Sequence, residues 1–271
     1  METIGFIGSG NMAEALINGV LKAGVYRPGK VYVSDIRSER LEYLREHYGV
    51  RTAADNRELA SVVDVLVLSV KPQNMKEALE SIKDAINDHV LVISIAAGIK
   101  TSLISSILGD LAIVRVMPNM PAWVDEAASV LYANKKAESR VEKARLILLS
   151  VGEAIVVEDE DLLDPVTAVS GSGPAYFFLL MQEMIKAGVA LGLSEEDALS
   201  LTLQTAKGAA LLAEKVSAEG QTPAQLSARV ATPNGTTEAA FNVFHERDFG
   251  AMVSAALQRA TQRSRELSAG Q

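Results

Sequence analysis

The sequence contains no cysteine. That excludes disulfides, thiolate metal ligands and cysteine nucleophiles, and it suits a reducing, cytoplasmic setting. Histidine is almost as scarce. His47, His89 and His245 are far apart and lack any HxxxH-type spacing, so no metal site is expected. Basic residues number 26 against 34 acidic ones, and the net charge of −8 argues against a nucleic-acid partner. No segment approaches the roughly 20 uninterrupted apolar residues needed to span a bilayer. The opening Met1-Glu2-Thr3-Ile4-Gly5 has no basic stretch leading into a hydrophobic one, so neither a membrane partner nor a signal peptide is expected. What is present is a chain of 271 residues, 48% of them hydrophobic. That suffices for one large core or two ordinary ones.

Two rhythms divide the chain. In residues 1–160, short runs rich in Val and Ile (4–7, 31–34, 65–70, 90–95 and 113–117) alternate with amphipathic stretches at 12–23, 37–47 and 75–86. Continuous apolar runs of this length read as strands buried on both faces, and their alternation with helices implies βαβ units and a parallel sheet. Runs at 128–132 and 154–157, flanking a helix near 138–150, extend that sheet. In residues 161–271 the strand rhythm stops. Helical periods occupy 174–191, 195–216, 223–230, 236–245 and 248–267. Pro174 suits a first helical turn, and Ser194 before two glutamates suits a helix start. The expected fold is α/β: an N-terminal Rossmann domain with a doubly wound, mostly parallel sheet, followed by an all-α domain. Small residues such as Ala206, Gly208, Ala209, Ala210 and Ala213 permit close helix packing, within one chain or between two.

Gly8-Ser9-Gly10-Asn11-Met12-Ala13 follows the first strand, which ends at Ile7, and opens the first helix. It fits the G-x-G-x-x-A dinucleotide fingerprint: a tight turn at the first glycine, backbone approach to a pyrophosphate at the second, close helix packing at the alanine. The helix start then offers N–H groups and a positive dipole end to phosphate. Asp35, at the end of the next strand, is the carboxylate that would hold the ribose of NAD(H). Arg37 is the cation that would hold the 2′-phosphate of NADP(H). The sequence leaves both cofactors open.

Three later turns end strands: Val70-Lys71-Pro72-Gln73, Ser94-Ile95-Ala96-Ala97-Gly98 and Met117-Pro118-Asn119-Met120-Pro121. Ligands of open parallel sheets bind at that edge. Two more segments lie in the helical half, Ser170-Gly171-Ser172-Gly173-Pro174 and Thr232-Pro233-Asn234-Gly235-Thr236-Thr237. Both are glycine- and hydroxyl-rich turns entering helices, suited to a substrate carboxylate.

Together these segments resemble pyrroline-5-carboxylate reductases, in order and over essentially the whole chain. The resemblance implies that the helical domain forms homodimers, which in this family assemble further, commonly into decamers. It implies hydride transfer from NADP(H) or NAD(H) to the carbon of a small cyclic imine, the last step of proline synthesis. Thr237 would be the catalytic hydroxyl near the ring nitrogen. Gly235, Thr236 and Thr237 would present N–H groups to the substrate carboxylate, and Ser172, Pro174 and Asn119 would border substrate and nicotinamide. Lys71, Ala96 and Ala97 would line the cofactor trough, and Asn56 would lie near the adenosine ribose. Glu160 matches a position near the substrate, although in an acidic run it reads equally as a solvated charge. Trp123, the only tryptophan, reads as core or interface packing. The chain departs from the usual family pattern at Met120, Thr222 and Asn234. Asn tolerates the left-handed conformation, so Asn234 is compatible with its turn. Two other readings compete. One is a hydroxy-acid or other imine dehydrogenase, whose catalytic lysine would be Lys186 or Lys207. The other is a non-enzymatic nicotinamide sensor.

Overall fold

The structure is a computed structural model that describes residues 2–269. The chain divides into two compact units, Met1–Pro174 with Gln258–Gln271, and Ala175–Leu257.

In the first unit β1 (Ile4–Ile7) leads into α1 (Asn11–Lys22), and β2 (Val31–Ser34) into α2 (Ser38–Tyr48). A two-residue β3 (Arg51–Thr52) precedes α3 (Asn56–Val62). Next come β4 (Val65–Leu68), α4 (Met75–Ile82), β5 (Leu91–Ser94), α5 (Thr101–Leu108) and β6 (Ala112–Met117). β7 (Ala127–Ala133), α6 (Val141–Leu149) and β8 (Gly152–Val157) complete the sheet. Its order is β3-β2-β1-β4-β5-β6-β7-β8. β1 to β6 run parallel to one another, β7 is antiparallel to β6, and β8 is parallel to β7. The first six strands have the doubly wound dinucleotide-binding order, with its switch point between β1 and β4.

The fully apolar runs are buried on both faces, as expected: β1, β4 and β5 have no exposed residue. Alternate side chains enter two cores. Ile4, Phe6, Val65 and Val67 pack with Leu16, Ile17 and Leu148 of α1 and α6 on one face. Ile7, Leu66, Leu68 and Val92 pack with Leu59, Leu79 and Ile104 of α3, α4 and α5 on the other.

Three elements were not anticipated. β3 has two residues, too few for a periodic signal. α3 spans only seven residues, and its start is marked by Asp55, whose carboxylate accepts from the Glu58 N–H. α5 reads TSLISSIL, and serine competes with helix by bonding its own backbone. The predicted strand 65–70 is shorter than expected. It ends at Leu68: the Ser69 N–H still donates to the Ile7 carbonyl at 2.9 Å, while its hydroxyl, shared between the carbonyls of Ile7 (2.9 Å) and Gly8 (2.7 Å), ties the next turn to the Gly8 loop.

After β8 come α7 (Leu163–Val166), a π-helical turn (Thr167–Gly171) and α8 (Gly173–Ala190), with Pro174 in its first turn. The remaining helices are α9 (Glu195–Ser217), α10 (Pro223–Val230), α11 (Thr236–Glu246) and α12 (Phe249–Ala269). Ser194 caps α9 by accepting the Asp197 N–H at 3.0 Å. Thr222 and Gln225 form a reciprocal capping box at α10, so the Thr222 departure is a working helix start. The last turns of α12 belong to the first unit. Ser264 donates to the buried Asp164 at 2.6 Å, and Leu267 lies against Gly98. A division by sequence rhythm at 160/161 cannot see this return, because the helix carries no local sign of where its end docks.

Trp123 is not core: it is 45% exposed. The described residues contain no helix long and apolar enough to cross a membrane, and no cluster of three or more His, Asp or Glu side chains placed to hold a metal.

Candidate active site

The parallel register aligns the strand ends of the first unit. Ile7 pairs with Ser34 and Leu68, Leu68 with Ser94, and Ser94 with Arg115. The turns beginning at Gly8, Asp35, Ser69 and Ile95 therefore leave the sheet at one level and one edge. This is where the sequence placed its cofactor residues.

Gly8 has φ +90°, and a Cβ there would lie 2.9 Å from the Ser69 carbonyl oxygen. Backbone conformation and packing both demand glycine. Gly10 differs. Its φ of −69° suits any residue, and a Cβ would meet nothing within 4 Å. The protein has no packing reason for glycine there. A ligand that approaches the backbone supplies one, and α1 begins at that point with no side-chain cap on its N–H groups. Asn11 is exposed, Met12 half-buried, and Ala13 packs into the core beneath.

Ser9 is wholly buried and held from two sides. Its N–H and hydroxyl both donate to Asp35 Oδ2, at 2.8 and 2.7 Å. Its carbonyl accepts from Arg40 Nε at 2.7 Å. Asp35 also accepts from Arg37, through the backbone N–H and Nε on Oδ1 and through Nη2 on Oδ2. Burial pushes the Asp35 carboxyl up, but the hydrogen bonds from Arg37 and Ser9 outweigh it and hold the group well below the usual carboxylate range.

Arg40 was not foreseen. It pairs with the buried Glu14 of α1, which also accepts from Tyr48 at 3.0 Å. Burial would raise the Glu14 pKa, yet Arg40 and Tyr48 lower it. Tyr48 is pushed up to about 12 by burial and by Glu14. The only sequence signal for this cluster is the charge of Arg40 and Glu14, which carries no address in the fold.

Asn56 accepts from Ser34 at 2.7 Å and donates to Ser81 at 3.2 Å, tying the end of β2 to α4. Lys71 is exposed, with Val70 and Pro72 half-buried beside it. Ala96 is only 5% exposed and lies in the core, which leaves its backbone rather than its side chain for a ligand; Ala97 is half-buried.

Asn119, expected from the sequence to border substrate, is 8% exposed and committed to the chain. It donates to the Ser170 carbonyl at 3.2 Å and accepts the Ala128 N–H at 2.9 Å, bracing the π-helical turn. Ser172 gives its N–H to Thr167 at 2.8 Å in that turn. Glu160 is neither solvated nor free for substrate. It accepts from the buried Arg115 at 3.1 Å and from the Thr101 N–H and hydroxyl at 2.8 and 2.9 Å, capping α5.

In the second unit Asn234 does adopt the left-handed conformation, at φ 58°, and Glu238 accepts its N–H at 2.7 Å. The Gly235 N–H donates to the Thr232 carbonyl at 2.9 Å, so it closes the turn and is not open to a carboxylate. Thr236 and Thr237 are the first two residues of α11, whose start has no side-chain cap. Thr237 is half-buried, and its hydroxyl has no partner among the described residues. Lys186 forms an exposed pair with Glu183 on α8, the setting of a surface charge.

Residues 160–267 match the description of the pyrroline-5-carboxylate reductase dimerisation family, and residues 3–98 match that of NADP oxidoreductases, coenzyme F420-dependent. A pyrroline-5-carboxylate reductase of Pseudomonas aeruginosa is 46% identical over 97% of this chain and 96% of its own length. The structure of one from Coxiella burnetii superposes with a TM-score of 0.92 at 40% identity, covering 98% of both chains. A Plasmodium falciparum pyrroline carboxylate reductase solved with NADP bound gives 0.87 at 29% identity, again covering 98% of both chains. The chain belongs to the pyrroline-5-carboxylate reductase family.

Proposed function

We infer that this chain reduces Δ1-pyrroline-5-carboxylate to proline with NADPH as the hydride donor. The family membership supports the reaction. The observation in this chain that carries the cofactor half is the Gly8–Gly10 loop, with open space over Gly10 and an uncapped α1 behind it. The residues fit a dinucleotide: Gly10 and the first N–H groups of α1 would take the pyrophosphate, and Arg37 the 2′-phosphate. Ile36, 97% exposed beside them, offers apolar surface to a base. NADH remains the second candidate donor. When bound, the reduced nicotinamide supplies the hydride.

The remaining work is positioning. The Thr236 and Thr237 N–H groups at the start of α11 would bind the substrate carboxylate, aided by the helix dipole. The unpartnered Thr237 hydroxyl would hold the ring nitrogen, accepting from the protonated imine or donating as the amine forms. The imine nitrogen keeps its proton while the imine carbon gains the hydride, so no metal or strong acid is required of the chain. Orientation of this kind lowers barriers by on the order of 7 kcal/mol in favourable cases. Asn119 and Ser170 act through the π-helical turn that carries Ser172, rather than on substrate.

The functional division follows residues 1–160 for cofactor and 161–271 for substrate and assembly. The second unit lacks a core of its own. Of the described residues in Ala175–Leu257, only Ala198, Thr202 and Val216 are buried, while Phe177 is 65% and Met252 60% exposed. Apolar surface on that scale calls for another copy of the chain. The assembly is a homodimer at least, with a decamer of five dimers as the finer reading. The site of action is the cytoplasm.

The deciding experiment follows NADPH and NADH oxidation with racemic pyrroline-5-carboxylate, using a 3-hydroxy acid as control. Turnover of the imine supports this reading. Turnover of the hydroxy acid alone would replace it.

A further inference from the structure

Asp35 occupies the position from which a carboxylate ordinarily reads the ribose hydroxyls of NAD and repels the 2′-phosphate of NADP. Its surroundings argue for another role. Five donors from two residues converge on it: the Ser9 N–H and hydroxyl, and the Arg37 N–H, Nε and Nη2. Both carboxylate oxygens are engaged, and the side chain is only 7% exposed. Its partner is the reverse case. Arg37 is 51% exposed, and its Nη1 makes no hydrogen bond among the described residues. At this edge of the sheet the anion faces the protein and the cation faces outward.

We propose that Asp35 is a positioning residue which grips Ser9 of the phosphate loop and the Arg37 guanidinium together, so that Arg37 reads a 2′-phosphorylated dinucleotide and the carboxylate is not presented to it. The proposal rests on the nicotinamide-dinucleotide reading above. Two further observations carry it. Ser9 is bracketed on its other side by Arg40, itself anchored to buried Glu14, so the loop is preset before any ligand arrives. A planar guanidinium with two nitrogens fixed on a carboxylate also loses little further freedom when its outer face meets phosphate.

The sign of one ratio tests this. NADPH- and NADH-supported kcat/KM would be measured for the parent, Asp35→Asn, Arg37→Gln and the double variant. Arg37→Gln should lower the NADPH/NADH ratio by roughly tenfold or more, the scale of one lost charge-assisted hydrogen bond. Asp35→Asn should lower the same ratio through loss of the held guanidinium. In the Arg37→Gln background it should change the ratio by no more than about twofold, because its route is gone. A general loosening of the loop would weaken both cofactors alike and leave the ratio where it was, which contradicts the proposal. A ratio that rises in Asp35→Asn overturns it outright, since that is the signature of a carboxylate repelling the phosphate. If the parent turned over no pyrroline-5-carboxylate, the functional reading would fail instead. Calorimetric NADPH and NADH affinities would then read the same ratio.

Discussion

Thr237 is the second residue of α11, half-buried and with a hydroxyl that has no partner among the described residues. A hydroxyl that orients the imine nitrogen contributes to turnover more than to cofactor affinity. Thr237→Ala should lower kcat by roughly 10²–10³ at most, the effect of losing one stabilising donor at a reacting centre. Thr237→Ser should recover much of the rate. Steady-state kinetics on the two variants decide this, and a full-speed alanine variant would remove the residue from the mechanism. Acid sensitivity is a second property of single residues. Asp35 titrates below the ordinary range in the folded chain because Arg37 and Ser9 outweigh its burial, whereas in the unfolded chain it ionises near about 3.9. As pH falls, the unfolded chain takes up its proton first. The stabilising effect of the clamp is therefore complete above about pH 4 and is lost as pH drops further toward the folded value. The Tm difference between the parent and Asp35→Asn should stay constant from about pH 7 to pH 5 and narrow only below pH 4. Narrowing between pH 7 and pH 5 would show that the carboxylate is not held as described.

At the level of elements, three pieces of the first unit meet at one buried ion pair. Arg115 of β6 is 4% exposed, and Glu160 after β8 caps the start of α5. Removing Arg115 leaves the Glu160 carboxylate without its counter-charge in a mostly dry setting. Arg115→Met should cost about 3 kcal/mol in denaturant unfolding, whereas Lys83→Ala on the exposed face near α4 should be neutral by comparison. Equal costs would mean that the Arg115–Glu160 pair is no more than a surface contact. None of this geometry was legible in the acidic run that contains Glu160. The strands themselves were legible, because β1, β4 and β5 are apolar on both faces and a buried parallel strand needs no alternation. α5 was not, because its serines favour local turns; the packing of Ile104 under the sheet and the Glu160 cap on Thr101, both distant in sequence, hold it helical.

For the molecule as a whole, the exposed apolar faces of the second unit set the expectation. Phe177 on α8 is 65% exposed in the single chain, so a charge there should leave the chain folded but break an interface that buries it. Light scattering should give a dimer or a higher multiple for the parent and a smaller species for Phe177→Asp. A parent that is monomeric at micromolar concentration would contradict the assembly and leave the helical unit without a core.

The strand-loop-helix order, the two glycines of the phosphate loop and the left-handed Asn234 follow from residue type and local spacing. Such features depend on backbone conformation and periodicity, which neighbours in sequence control. Tertiary structure alone decided that Asp35 and Arg40 hold Ser9, that Asn119 braces a turn, that Gly235 keeps its N–H for Thr232, and that α12 returns to Asp164. A charged or polar side chain reaches several ångströms in any direction. Whether it serves ligand, solvent or another buried partner is set by which distant segment the fold brings within hydrogen-bonding distance.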